Sequence, residues 1–369
     1  MRLASFNVEN LFQRAKVMNQ SSWQDGKEVL KAFTRFNTII QRADYTNATK
    51  KELVELLDEL GLTRSDESNF VILRQNRGRL VTRRKQKPPE IVAAGRDSWV
   101  GWLELKMEAV DETATQMTAK VIHDVGADIL GVIEADDRIS LTRFNDQLLR
   151  PIDATYDGIM LIDGNDERGI DVGLLTRGGA SIESVISHVD DIVEGRRVFS
   201  RDCPEYTVRT GDGTKLVVMV NHLKSKGYGL KGESDSRRRA QAQRVREIYD
   251  SRRAEGIELI AIVGDMNDTP DSDPMLPLLK NNSDLIDIFK HPKFNGDGRP
   301  GTYGNGNQSN KIDYVLLSPA LAGRVGRGGV HRLGVWGGKN GTIFPHYPEM
   351  TAAEHAASDH AAVWADIDV

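Results

Sequence analysis

The sequence predicts a mixed α/β (α+β) domain in which two packed sheets are flanked by helices. Three observations lead there. Short apolar runs bounded by polar or glycine-rich turns recur along the chain. Helical apolar periodicity precedes several of them. The order of helices and strands is not the strict βαβ alternation of a doubly wound parallel sheet. With 369 residues, 39% of them apolar and 34 glycines, the chain is long enough for one large domain carrying an insertion.

Taken in order, strands are expected over residues 2–8, 128–133, 158–162, 172–176, 215–221, 259–263, 311–317 and 361–367. A helix over 115–125 places Met117, Val121 and Ile122 on one face, and another over 237–251 aligns Ala242, Val245, Ile248 and Tyr249. Pro274 signals a helix start before 275–279. Residues 13–114 read differently. Segments 26–42 and 49–60 are amphipathic helices, the second opened by a Thr49…Glu52 capping box. Segment 70–84 reads as a hairpin turning at Asn76-Arg77-Gly78-Arg79, and Trp99 and Trp102 follow the Pro88-Pro89 break. The main domain is therefore expected over 1–12 and 115–369. Residues 13–114 are an insertion that can serve as a substrate- or partner-binding element.

Composition excludes several classes. A lone cysteine, Cys203, excludes an internal disulfide framework, a Cys-rich zinc site and an iron–sulfur cluster. No run approaches the ~18 apolar residues of a membrane helix, and no basic-then-apolar leader opens the chain. The expectation is a cytoplasmic protein without a membrane partner. The net charge of −5 means that any contact with a polyanion comes from local patches. No Walker A sequence, strand-linked G-x-G-x-x-G, H-E-x-x-H or G-x-S-x-G is present.

The chemistry concentrates at strand ends. Asn7, Glu134, Asn221-His222, Asp265, Asn267, Asp313 and Asp359-His360 all lie at or beside the ends of expected strands. Any one of them alone reads as a turn residue. Together they supply carboxylates for a hard divalent ion, a carboxylate to orient or deprotonate water, and histidines to stabilise or protonate a phosphate.

The motifs Ser5-Phe6-Asn7-Val8-Glu9-Asn10-Leu11-Phe12, Ala127–Glu134, Asn221-His222-Leu223-Lys224-Ser225, Gly264-Asp265-Met266-Asn267-Asp268, Lys311-Ile312-Asp313-Tyr314 and Ser358-Asp359-His360 occur in this order. In that order the chain resembles the endonuclease/exonuclease/phosphatase superfamily, with the DNase I-like fold. The resemblance implies a four-layered α/β/β/α sandwich and Mg²⁺ as cofactor, with Mn²⁺ or Ca²⁺ as substitutes. It also implies roles. Glu134, Asn7 and Asp359 lie at the metal. Asp265 positions or activates water, and Asn267 meets the scissile phosphate. His360 faces the phosphate and is oriented by Asp313. His222 occupies a position filled by histidine in the DNase I-like, sphingomyelinase-like and inositol-phosphatase-like branches. Asp171 is a candidate to orient His222. Phe199-Ser200-Arg201-Asp202 resembles an element whose arginine approaches the substrate phosphate, which makes Arg201 a candidate contact.

Arg74, Arg77, Arg79, Arg83, Arg84, Lys85 and Lys87 place seven cations and no acid within fourteen positions of the insertion, a candidate nucleic-acid surface. The leading expectation is thus a metal-dependent endonuclease, DNA favoured over RNA, working by in-line attack of water. Hydrolysis of a small phosphate ester (an inositol phosphate, a phospholipid head group or a nucleotide) is the first alternative. A non-catalytic binding protein on the same fold is the second.

Overall fold

The structure is a computed structural model that describes residues 1–9, 11–18, 23–85, 87–166, 168–226, 231–280 and 282–369, so Asn10 of the first motif lies outside the described residues. The chain divides into two compact units. The larger comprises Met1–Phe12, Val110–Lys226 and the chain from 231 onward, and the smaller comprises Gln13–Ala109.

Among the described residues, twelve strands build two six-stranded sheets in the larger unit, beside the short pair Ile192–Val193 and Arg196–Arg197: β1 (Arg2–Asn7), β2 (Ile129–Ala135), β3 (Gly158–Ile162), β4 (Asp171–Thr176), β5 (Ser181–Ile186), β6 (Glu205–Arg209), β7 (Lys215–His222), β8 (Ile260–Asp265), β9 (Ile286–Asp287), β10 (Asp313–Leu317), β11 (Val325–His331) and β12 (Ala362–Ile367). The first sheet runs β11-β12-β1-β2-β4-β3 and the second β5-β6-β7-β8-β10-β9. Each has a parallel pair at its centre, β1–β2 and β7–β8, with antiparallel neighbours on both sides. A parallel pair ends two strands at one edge, and its antiparallel neighbours begin there. That rule gathers Asn7 with Glu134 in the first sheet, and His222 and Asp265 with the start of β10 at Asp313 in the second.

Strand alternation makes the layers. In β8, Ala261 and Val263 join Val218 and Val220 between the sheets, while Ile260 and Ile262 pack with Val245 and Tyr249 of α3, the helix Lys231–Ala254. In β2, Ile129 and Ile133 face the inter-sheet core, and Leu130 and Val132 join Met117 and Val121 of α1, Glu112–Val125. A shorter helix, α2 (Arg138–Phe144), adds Leu141 and Phe144 to that outer layer. The result is the expected α/β/β/α sandwich. Each buried aliphatic side chain contributes roughly 1.5–3 kcal/mol to it. Gly131 sits where the sheets approach closely, since a Cβ there would lie 2.7 Å from Val263 Cγ2. Helix α1 starts before the expected 115 because Asp111 caps it, its carboxylate accepting from Thr113 and Ala114 N–H.

The smaller unit corrects two expectations. Strand Val71–Arg77 does not fold back on 81–84. It pairs with Val100–Leu105, Leu73 opposite Leu103, and Val81–Thr82 pairs instead with Glu90–Ile91. The non-local pairing buries Leu73, Leu103 and Leu105 together, and Gly101 permits it: a Cβ there would stand 1.9 Å from the Arg74 carbonyl oxygen. Helix Asn47–Glu59 is capped by Thr46, whose Oγ1 accepts from Thr49 N–H at 3.2 Å, so Thr49 lies inside the helix. Trp99 is buried in this unit's core and donates from Nε1 to Tyr45 Oη at 3.0 Å. On the larger unit's side the chain leaves and returns at one point, where Val110 N–H donates to the Phe12 carbonyl at 3.0 Å. Among the described residues no helix is long and apolar enough to cross a membrane.

Gly264 holds φ +139°, and a Cβ there would lie 1.9 Å from the Asn221 carbonyl oxygen across the β7–β8 pair. Gly264→Ala is expected to destabilise the fold by about 3 kcal/mol. Urea unfolding measures this, and an unshifted midpoint would contradict the packing described.

Candidate active site

Register builds half of the site. His222 of β7 stands opposite Asp265 of β8, and Asp265 stands opposite Asp313 of β10, so three polar side chains occupy one row across adjacent strands. Asp265 is 2% exposed. Burial, and then the neighbouring charge of Asp313, push its carboxyl above the ordinary carboxylate range, against the pull of His360.

His360, just before β12, resolves that repulsion. Its Nδ1 lies 3.0 and 2.9 Å from the two oxygens of Asp313, so Nδ1 carries a proton. Thr302 Oγ1 donates to Asp313 Oδ2 at 2.6 Å and accepts from the N–H groups of Ile312 and Asp313. Burial opposes charge on the imidazole, but Asp313 and then Asp359 hold His360 well above its ordinary value. Ser358 Oγ donates to the Asn7 carbonyl at 2.7 Å and accepts from His360 N–H, which pins this segment to β1. Asp359 Oδ1 lies 3.5 Å from His360 Nε2, and Asp359 N–H donates to Glu9 Oε2.

The other half comes from the first sheet. Glu134 adopts φ +65°, as Glu9 and Asn267 adopt +49° and +55°. Left-handed backbone is uncommon for such residues, and here it falls at three strand ends that face the site. Asn7 Oδ1 accepts from Glu9 N–H at 3.0 Å, which fixes the orientation of its amide. Its Nδ2 therefore faces Glu134 Oε1 and Asp265 Oδ2, each at 3.3 Å, and His360 Nε2 at 3.4 Å. Its oxygen is engaged, and its donor braces carboxylates from both sheets.

His222 Nε2 lies 3.5 Å from Glu134 Oε1 and 3.7 Å from Asp265 Oδ2. Burial, then the charges of Arg201 and Arg168, hold its pKa well below the ordinary value, so the ring is neutral. The expected pairing with Asp171 is absent. His222 Nδ1 has no hydrogen-bond partner, while Asp171 Oδ1 accepts from Gly164 N–H at 2.7 Å. A register shift between Asp171 and Val172 marks the irregularity that separates Asp171 from the regular ladder. Burial raises the Asp171 carboxyl to about 7.

Asn267 N–H donates to Asp265 Oδ1 at 2.7 Å, and its amide donates to Asp265 Oδ2 and the Leu223 carbonyl, each at 3.1 Å. It braces Asp265, and a phosphate contact requires exchanging one of these bonds. Arg201 is paired within the protein. It is 1% exposed, with Nε 2.9 Å from Asp166 Oδ2 at an angle too poor for a hydrogen bond, and Nη1 donates to the Leu223 carbonyl. Arg168 grips the same Asp166 at 2.7 and 2.9 Å. Burial, then Arg168 and Arg201, lower Lys224 to about 8. Arg168, Lys224 and Thr302 are the neighbours that sequence reasoning passed over. Arg168 in the Gly164…Gly169 turn was the available signal, and Thr302 gave none.

In the smaller unit, Arg77, Arg79 and Arg84 are exposed, whereas Arg83 is tied to Asp66 at 2.5 Å and to the Leu62 carbonyl. Arg74 pairs with Glu104.

Glu134, His222 and Asp265 offer ligand atoms within 4.8 Å of one another, as do Asp265, Asp313 and His360. Two carboxylates drawn together in a buried pocket suit a hard divalent cation, which relieves their repulsion. Glu134 and Asp265 are the oxygen donors that fit.

Residues 111–360 match the Endonuclease/Exonuclease/phosphatase family. Among solved structures, the mannosyl-6-phosphatase of Bacteroides thetaiotaomicron VPI-5482 is 17% identical, covers 70% of this chain and 92% of its own, and superimposes with TM-score 0.51. An endonuclease/exonuclease/phosphatase from Bacteroides vulgatus is 17% identical over 70% of this chain and 91% of its own, with TM-score 0.50. Curated proteins give no match by sequence. Likeness at such identity speaks for the fold alone.

Two outcomes are expected of these contacts. Glu134→Gln weakens Mg²⁺ binding by roughly 10- to 100-fold in calorimetric titration, and unchanged affinity would remove Glu134 from the metal site. Asp313 raises His360 above the ordinary ~6.5, so their mutual stabilisation is complete below that value and is lost as pH rises through the raised one. Asp313→Asn should lower the His360 midpoint by ~1–3 units in an NMR titration, and an unmoved midpoint would refute the pairing.

Proposed function

The chain belongs to the endonuclease/exonuclease/phosphatase family of hydrolytic, metal-dependent enzymes, and on that premise we propose that it is a Mg²⁺-dependent phosphodiesterase that cleaves nucleic acid, DNA favoured over RNA. The observation that carries the reading is the meeting of Glu134, Asp265 and His360 around the Asn7 amide, contributed by both sheets.

Glu134 and Asp265 would hold the ion, which when bound neutralises phosphate charge and steadies the leaving oxygen. Asp265, set beside Glu134 and His360, orients the attacking water and takes its proton. His360, kept protonated by Asp313, faces the phosphate and donates to the oxygens that gain charge in the transition state. Neutral His222 turns Nε2 toward Glu134 and Asp265 and helps fix their carboxylates. Arg168 and Lys224 add positive potential on the His222 side, and Asp359 adds a carboxylate on the His360 side. Exposed Arg77, Arg79 and Arg84 support a polyanionic substrate, since their charges are offered to solvent.

Supercoiled plasmid incubated with the protein should be nicked with Mg²⁺ and left intact with EDTA. His222→Ala should slow nicking by about 10²-fold or more. Intact plasmid together with hydrolysis of a small phosphate ester would move the substrate to that class. No hydrolysis of either, with biological activity surviving Asp265→Asn, would favour a binding protein on this fold.

A further inference from the structure

Tyr303 stands beside the candidate catalytic histidine and is 38% exposed. Its centroid lies 4.9 Å from that of His360, with the planes at 56°. An isolated exposed aromatic is ordinary on a protein surface. Tyr303 differs in how firmly it is held and in what it overlooks.

Its backbone is fixed on every side. Tyr303 N–H donates to the Asn310 carbonyl at 3.0 Å, and its own carbonyl accepts from Gly306 N–H at 2.9 Å and Asn310 Nδ2 at 3.1 Å. Tyr303 and His360 form an antiparallel bridge, flanked by Gly304 N–H on the Asp359 carbonyl at 2.7 Å and Ala361 N–H on the Thr302 carbonyl at 2.8 Å. Gly304 and Gly306 take φ +51° and +67°, turns that a side chain would strain. Arg299 closes the loop from outside, donating to the carbonyls of Asn305 and Ile343. The phenol hydroxyl meets Asp359, and Asp359, burial and Glu9 keep it protonated. The hydroxyl end therefore belongs to the acidic centre, while the residue stays partly open to solvent.

We propose that Tyr303 is a stacking platform for a nucleobase, forming a base-binding subsite for an ester whose phosphate lies between Asp265 and His360. This rests on the phosphoesterase reading and narrows it to nucleotide-bearing substrates. A rigid aromatic ring binds any base through its π-face, which suits cleavage with little sequence preference. The ring is already ordered before the substrate arrives, so little conformational freedom is lost on stacking.

The test reads equilibrium binding and needs no turnover. Nonhydrolysable phosphonate analogues of thymidine 5′-monophosphate and of 2-deoxyribose 5-phosphate are titrated calorimetrically into the Mg²⁺-loaded protein, its Tyr303→Leu variant and its Tyr303→Phe variant. The wild type should bind the base-bearing analogue about tenfold or more tighter than the abasic one. Tyr303→Leu should bring that ratio close to one, and Tyr303→Phe, which keeps the ring and loses the hydroxyl, should preserve it. A wild-type ratio near one, or a ratio that survives Tyr303→Leu, overturns the subsite. A ratio lost equally in Tyr303→Phe also overturns it and assigns Tyr303 to positioning Asp359. If Tyr303→Leu does not fold, the wild-type ratio and Tyr303→Phe still decide. Failure of the phosphoesterase reading would appear separately, as plasmid and small esters left intact.

Discussion

Asp265 and Asp313 face each other across one strand pair, both almost fully buried, and the organisation of the site follows from keeping them together. Two carboxylates in such a place cannot both ionise without a compensating cation. The proton on His360 is one, and the ligand atoms of Glu134 and Asp265 lie close enough to each other to take a metal ion as another. Each supporting contact serves this electrostatic problem. Thr302 occupies an Asp313 oxygen, Asn267 satisfies both oxygens of Asp265, and Asn7 inserts a donor between the carboxylates of Glu134 and Asp265.

The solution needs both sheets. One sheet brings His222, Asp265 and Asp313 in a row, and the other brings Asn7 and Glu134. The distance between them is then a property of the core. Gly131, packed against Val263, sets how closely the sheets approach a few residues below the site. The positive φ angles at Glu9, Glu134 and Asn267 add local strain, which the surrounding hydrogen bonds hold in place.

The central strands were readable because they are buried on both faces. Residues 129–133 and 260–263 are unbroken apolar or glycine runs, and each ends in a carboxylate within two residues. The edges were not. β5 is largely exposed, β11 carries three glycines, and β9 has two residues, so neither alternation nor length marked them. The pairing of Val71–Arg77 with Val100–Leu105 is non-local, and the nearby Asn-Arg-Gly-Arg turn signal pointed to the wrong partner. Among site residues, strand-end position revealed Glu134, His222, Asp265, Asp313 and His360 as neighbours. It could not reveal that Asp171 accepts from Gly164 beside a register shift, or the carboxylate of Asp166 that holds Arg201 inside. Those depend on the path of a turn, which periodicity does not encode.

The single hydrogen bond between Val110 and Phe12 has a consequence for how this chain can change. For the catalytic sheets, the whole of Gln13–Ala109 begins and ends as a tight reversal between β1 and α1. The smaller unit carries its own apolar core, so its internal ordering supplies the closure that a long flexible loop would have to find by chance. Such a junction behaves as a socket. What is plugged into it can be lengthened, shortened or replaced while strand order and register in the two six-stranded sheets stay as they are.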